Sequence, residues 1–217
     1  MSPPAQAQTR RRLKPEQRRE LILQGARELL AERGYERMSI ADVATAAGIT
    51  PAVIYDHFDS KAQLVIELLE RHTAELLREV GMAVQGVPAD AAAQLRAGVE
   101  AFFAYVEEHR CAWRIMFRDP PSDPEVAAAY RRLDSQATAA IAVFLRSGDN
   151  EGALGAYGDP AKTAEMFAEA LKAAQNGLAA WWYVHPDVSR EEVVERLLDF
   201  AWRGLGQMSL TRGGARK

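Results

Sequence analysis

Apolar residues along this chain recur every three to four positions, the spacing that gives an α-helix one buried stripe. Leu21, Ile22, Gly25, Ala26, Leu29 and Leu30 form the first stripe, entered through Pro15-Glu16 and closed at Gly34. Ser39-Ile-Ala-Asp42 has the form of a capping box, a hydroxyl with an acid three residues on. A short helix with Ile40, Val43, Ala44 and Ala47 is predicted to follow, with Gly48 stopping it at positive φ. Thr50 is predicted to cap a further helix whose first residue is Pro51 and which carries Val53, Ile54, Tyr55, His57 and Phe58. Ser60-Lys-Ala-Gln63 is another capping box and opens a long helix with Leu64, Leu68, Leu69, His72, Leu76 and Val80. The chain breaks at Gly86 to Pro88. Helical spacing then covers 90–108, Trp113 to Phe117, about 125–146, about 161–183 and about 189–208. Asp119-Pro-Pro-Ser-Asp-Pro124 and the glycine-rich stretch 147–160 separate these segments. No segment alternates convincingly with period two, so the fold class is all-α, with about nine helices.

Residues 34–61 carry the most specific pattern. Two short helices flank a tight turn at Gly48-Ile-Thr50, the helix-turn-helix arrangement. In that arrangement the first helix fixes the angle of the second, whose N-terminal residues face base edges in the major groove. Small residues at Ala44, Ala47 and Gly48 are predicted to let the helices approach closely. Ile40, Val43, Ile49, Val53, Ile54 and Phe58 would supply a small core. A glycine-centred helix pair is also the mark of a plain αα-hairpin, with Tyr55 a core aromatic and His57 a capped surface residue. Lys61 adds a separate hint. It stands in a first helical turn, where the macrodipole disfavours a cation and free N–H groups attract anions, a placement that suits a phosphate docked beside it.

The run from Gly34 to Lys61 resembles the DNA-binding domain of the tetracycline-repressor (TetR) family of bacterial transcription regulators. The matching pieces are Gly34-Tyr35, Ser39-Ile40, Asp42-Val-Ala44, Ala47-Gly48-Ile49, Tyr55, and His57-Phe58 with Lys61 beyond. The resemblance implies that Thr50 and Tyr55 hydrogen-bond phosphate oxygens, that His57 lies at a backbone-contact position, and that Pro51, Ala52 and Asp56 read bases. Pro51 and Ala52 have only apolar contacts to offer, for example to a thymine methyl, whereas Asp56 can accept from a cytosine amine or repel phosphate in wrong registers. The implied organisation is a flexible basic arm over 1–14 and a helix-turn-helix domain over 15–61 that continues into a linking helix at 61–81. A ligand-binding and dimerisation domain at 82–210 and a frayed tail at 211–217 complete it.

In this family the last two helices pair with their copies in a homodimer. The wide stripes of 161–183 and 189–208, including Leu178, Trp181, Trp182, Leu197, Leu198 and Trp202, allow that pairing and would equally close a monomer core. The resemblance also implies a small-molecule effector. Phe102, Tyr105, His109, Trp113, Met116, Phe117, Tyr130 and Trp181 are the candidate pocket residues, by the aromatic and methionine content usual in apolar pockets and equally in cores.

Bulk properties fit this reading. The 217 residues are 48% hydrophobic and 26% charged, which excludes wholesale disorder. The net charge of -3 argues against a simple nucleic-acid coat, but it is unevenly spread. Residues 1–61 hold 10 basic and 8 acidic side chains, and the rest of the chain is acidic. Residues 10–19, RRRLKPEQRR, read either as an arm that neutralises phosphates or as a solvated tail. The sole cysteine, Cys111, excludes an intrachain disulfide and reads as a small packing residue. The basic N-terminus has no apolar stretch behind it, and Ala173 to Pro186 is too short and polar to span a bilayer, so a soluble cytoplasmic protein is expected. No HExxH, phosphate-loop or nucleophile signature is present, so neither catalysis, a cofactor nor a metal is expected. The alternatives are a helical enzyme and an adaptor that has lost DNA binding.

Overall fold

Several helices start at side-chain caps, on Ser39, Ser60, Asp90 and Asp159. The computed structural model describes residues 14–88, 90–116, 122–146 and 154–206, with side chains to residue 201. The arm before Lys14, Phe117, residues 147–153 of the glycine-rich stretch and the tail lie outside the described residues, as do the side chains of Trp202 and Leu205. Among the described residues the elements are α1 Pro15–Arg33, α2 Ile40–Ala47, α3 Pro51–Tyr55, α4 Lys61–Gln85, α5 Ala91–Glu108, α6 Arg110–Met116, α7 Pro124–Arg146, α8 Pro160–Tyr183 and α9 Arg190–Gly206. The fold is all-α, and no described helix is long and apolar enough to cross a membrane.

α2 shows how the boundaries arise. The Asp42 N–H donates to Ser39 Oγ at 3.1 Å, and the Ser39 N–H donates to Asp42 Oδ2 at 3.1 Å, closing the capping box. Gly48 ends the helix at φ 66°, ψ 34°, a left-handed conformation that costs glycine nothing. The box at Ser60 is only half made. Ser60 Oγ accepts from the Gln63 N–H at 3.0 Å, but Gln63 Oε1 turns to the Asp59 N–H at 2.6 Å. α3 is shorter than its apolar pattern suggests. The N–H groups of His57 and Phe58 both bond the Ile54 carbonyl at 2.9 Å, which winds the chain out of the helix after Tyr55. α6 begins earlier than Trp113, because the His109 carbonyl that ends α5 accepts from the Trp113 N–H at 2.9 Å. Cys111 is exposed rather than packed, since α6 turns Ala112, Trp113 and Ile115 inward and leaves Cys111 on its outer face.

Two cores result, and α4 runs through both. The first joins Ile22, Leu30, Val43, Ile54, Phe58 and Leu64 of the N-terminal helices to Ile115, Val126 and Leu133 of α6 and α7. The second gathers Leu76 of α4, Phe103 and Tyr105 of α5, Trp113 of α6, Trp182 of α8 and Val193 and Leu197 of α9. α1 and α2 approach tightly at Gly25. A Cβ on Gly25 would lie 3.2 Å from the Ala46 Cβ, whereas one on Gly48 would meet nothing within 4 Å. Gly48 is thus required for its φ and Gly25 for its lack of bulk.

Candidate nucleic-acid interface and apolar cavity

α3 is held from behind and bare in front. Ile54 and Phe58 are buried, while Pro51, Ala52, Tyr55 and Asp56 face solvent and His57 is half-buried. Thr50 occupies the N-cap in an extended conformation, yet its side chain makes no capping bond, so the exposed hydroxyl remains available to an outside acceptor. Tyr55 is 56% exposed, and among the described residues its hydroxyl has no partner. This places Thr50, Pro51, Ala52, Tyr55 and Asp56 on one exposed surface.

Lys61 and the arm-proximal arginine behave differently from that surface. The half-buried Lys61 ammonium donates to the Tyr35 carbonyl at 3.1 Å and the Met38 carbonyl at 3.3 Å, and lies 4.0 Å from the Tyr35 ring centroid. It caps the turn between α1 and α2, a role that sequence spacing does not show. Arg19 donates to the His57 carbonyl at 2.7 Å, pairs with Glu67, and stacks over Phe58 at 4.3 Å. Of the basic cluster at 10–19, Arg19 therefore serves to fix the end of α3.

The same turn is clasped to the start of α7. The Tyr35 hydroxyl donates to Asp123 Oδ2 at 2.5 Å. Ser122 donates to Glu36 Oε1 from its N–H at 3.0 Å and from its hydroxyl at 2.6 Å. Burial, with the hydrogen bond to Asp123, pushes the Tyr35 phenol up. The Tyr35 hydroxyl holds the Asp123 carboxyl below its ordinary value, and the Ser122 donors do the same for Glu36. Both carboxylates are favoured in the folded state, so the clasp is intact above the ordinary carboxylate range and is lost as pH falls through the lowered values. Tyr35→Phe removes the donor. The expected outcomes are a lower melting temperature and a return of the Asp123 carboxyl toward its ordinary value in an NMR titration; an unmoved Asp123 would show the clasp to be idle.

Beyond the clasp, a cavity of about 580 Å³ opens between α4, α5, α7 and α8. Leu76, Val80, Val99, Phe102, Leu133 and Ile141 give it apolar walls. Its lining also includes the polar Thr73, Gln94, Gln175 and Asn176, and the buried Lys172 held by Asp134 at 2.7 Å, Thr138 at 2.7 Å and Glu169 at 3.0 Å. The volume is in the range that encloses a small organic molecule.

Comparison with known proteins places these two features in one lineage. The family model described as bacterial regulatory proteins of the tetR family matches residues 22–68. A second, described as the tetracyclin repressor-like C-terminal domain, matches residues 91–204. The chain belongs to the TetR family. It is similar to the HTH-type transcriptional activator FasR of Mycolicibacterium smegmatis, 33% identical over 203 residues that cover 93% of this chain and 89% of that protein. Its fold is similar to a TetR-like transcriptional regulator from Rhodococcus sp. RHA1, with a TM-score of 0.72 at 22% identity, covering 90% of this chain and 99% of the other. It also resembles the fatty acid degradation regulator FadR from Bacillus halodurans, with a TM-score of 0.71 at 16% identity over 84% of this chain and 96% of that one. As a TetR-family member the protein is a helix-turn-helix transcription regulator, not an enzyme.

Within this family framework, the aromatic candidates for an effector pocket divide. Phe102, Met116 and Tyr130 stand on the cavity wall, and the Tyr130 hydroxyl is anchored on the Ile115 carbonyl. Four others lie elsewhere. Tyr105 is buried against the other side of α4, where its hydroxyl meets His72 Nδ1 at 3.2 Å and Glu75 Oε2 at 3.3 Å. Burial pushes its phenol up and favours the neutral form of His72. His109 ends α5 with its ring 4.4 Å from that of Tyr105. Trp113 stacks on Tyr183 at 5.6 Å inside the second core, and Trp181 lies half in solvent over His185 at 4.0 Å. Phe117 lies outside the described residues. Aromatic content missed the aliphatic wall. The signal for it was present in α4, where Leu69, Thr73, Leu76, Val80 and Val84 continue a stripe past the length that the first core covers.

Proposed function

We propose that this TetR-family regulator is a dimeric repressor, released from operator DNA when a small, largely apolar molecule fills the cavity between α4, α5, α7 and α8. The observation that carries this reading is the double use of α4. Its first residue, Lys61, holds the turn of the helix-turn-helix, and its later turns form the cavity wall. A ligand that prefers a tilted α4 shifts the population toward an arrangement in which the two recognition helices no longer match the groove.

On this reading Thr50 and Tyr55 bond phosphates from the exposed surface, with His57 and Lys61 beside the same backbone. Pro51, Ala52 and Asp56 meet base edges. Dimerisation through α8 and α9 is supported by apolar side chains that the monomer leaves in solvent: Met166, Trp181, Val184 and Phe200. Two copies are needed because half-sites lie about 34–36 Å apart.

The test is fluorescence anisotropy on the DNA upstream of the protein's own coding region, with a selection from random DNA in parallel. Salt-sensitive binding to a two-fold site is expected; no specific site in either experiment overturns the reading. A cavity-filling variant separates effector binding from DNA binding. Ala137 lines the cavity from α7 and is half-buried. Ala137→Trp is expected to weaken effector binding at least tenfold, read as loss of ligand-induced thermal stabilisation, while operator affinity stays within about twofold. A second reading, activation, is favoured by the M. smegmatis relative FasR, a transcriptional activator. A reporter fused to the bound promoter decides between them by the sign of the change on deleting the regulator.

A further inference from the structure

α4 presents a second chemistry on the side turned away from the cavity. Glu75 and Glu79 are one turn apart, so their carboxylates share a face of the helix. His109, the residue that ends α5, closes over them, and one ligand atom from each of Glu75, Glu79 and His109 lies within 4.8 Å of the others. Two like charges at this spacing repel, which is unfavourable in a helix unless a cation lies between them. Among the described residues Arg78 meets Glu79 at 3.3 Å from a largely exposed position, on the outside of the group. Glu75 also meets the Tyr105 hydroxyl at 3.3 Å and the buried His72 ring at 3.7 Å, two groups that feel the positive charge of Arg27 on α1.

Two of the three side chains, Glu75 and His109, are also held in place. The Tyr105 hydroxyl bonds Glu75 Oε2, the kind of outer contact that orients a ligating carboxylate. The His109 ring rests on the Tyr105 ring at 4.4 Å, and its backbone N–H donates to the Tyr105 carbonyl at 2.8 Å. Metal–ligand bonds of about 2.0–2.2 Å put ligand atoms about 3.4 Å apart, so modest side-chain rotation closes the group around an ion. We propose that Glu75, Glu79 and His109 bind one divalent transition-metal ion per protomer, with water completing its coordination. The imidazole selects zinc-like ions over magnesium and calcium, which prefer all-oxygen sites. Such an ion ties the middle of α4 to the junction of α5 and α6, two turns of helix that also carry the cavity-lining Leu76 and Val80.

The site is independent of the operator and effector readings and is tested without them. The full chain with Cys111→Ser, which removes the sole thiol, is stripped with chelator and titrated with Zn²⁺ and with Mg²⁺ by calorimetry. One Zn²⁺ per protomer is expected, at least tenfold tighter than Mg²⁺, with a raised melting temperature. Glu79→Gln and His109→Asn are each expected to weaken Zn²⁺ at least tenfold and to abolish the thermal shift. Circular dichroism of the metal-free variants verifies their folding; should His109→Asn fail to fold, the part-exposed Glu79→Gln decides. No stoichiometric Zn²⁺ binding, Mg²⁺ binding as tight as Zn²⁺, or Zn²⁺ binding unchanged in the folded variants, the mark of adventitious surface sites, each overturns the proposal.

Discussion

Phe103→Ala is expected to lower the unfolding free energy by about 3–5 kcal/mol, the range for deleting a buried phenyl ring from a packed interior. Phe103 is 0% exposed and sits where α5 meets α8. Its ring is edge-on to Phe102 at 5.1 Å and 88°, and to Trp182 at 5.9 Å and 75°. Such arrangements add to the area term, because the ring edge meets the negative face of its neighbour. The neighbours cannot collapse into the gap. Trp182 is pinned by its indole N–H, which donates to the Val188 carbonyl at 2.8 Å. A loss below about 1.5 kcal/mol in urea denaturation would show that α5 and α8 close over the missing ring. The first core contains none of these side chains, so near-normal packing of α2 and α3 should survive in the folded variant.

The contrast between the two cores explains what the sequence made legible. α2 and its turn are specified by neighbours in the chain: the Ser39–Asp42 box, the glycine at positive φ, and Pro51 starting the next helix. Local chemistry of that kind reads directly from spacing. What depends on the placing of distant helices does not. Lys61 has the spacing of an anion-binding residue, yet its nearest acceptors are carbonyls of the turn at Tyr35 and Met38, brought there by the packing of α1. Tyr105 and Phe102 have the same aromatic character on one helix. Only the arrangement of α4 and α7 sends Phe102 to the cavity and Tyr105 to His72. The sequence marks His109 as a pocket candidate but does not show its nearness to Glu75 and Glu79, because those carboxylates belong to another helix. An apolar stripe specifies that a face is covered, and the tertiary fold decides whether a side chain or a void covers it.

Tyr55→Ala is expected to weaken operator binding about a hundredfold or more in the dimer. One hydrogen bond to a charged acceptor contributes about 1.5–3 kcal/mol, which is at least about tenfold per half-site. Two half-sites bound together multiply the factor. Tyr55 is the cleanest residue for this measurement because it is 56% exposed and its hydroxyl has no partner among the described residues, so the fold loses little with the ring. Lys61→Ala would confuse the two effects, since the same ammonium holds the turn between α1 and α2. Phosphate contacts position a protein without reading sequence, so the loss should be alike for every operator variant. A hydroxyl releases no counterion, so the salt dependence of the residual binding should keep its slope. Pro51→Ala supplies the opposite pattern: little change in mean affinity, but altered preference at the base pair its ring touches. If Tyr55→Ala instead changes preference at one position, the ring reads a base edge, α3 lies rotated in the groove, and the phosphate contacts fall to Thr50 and His57.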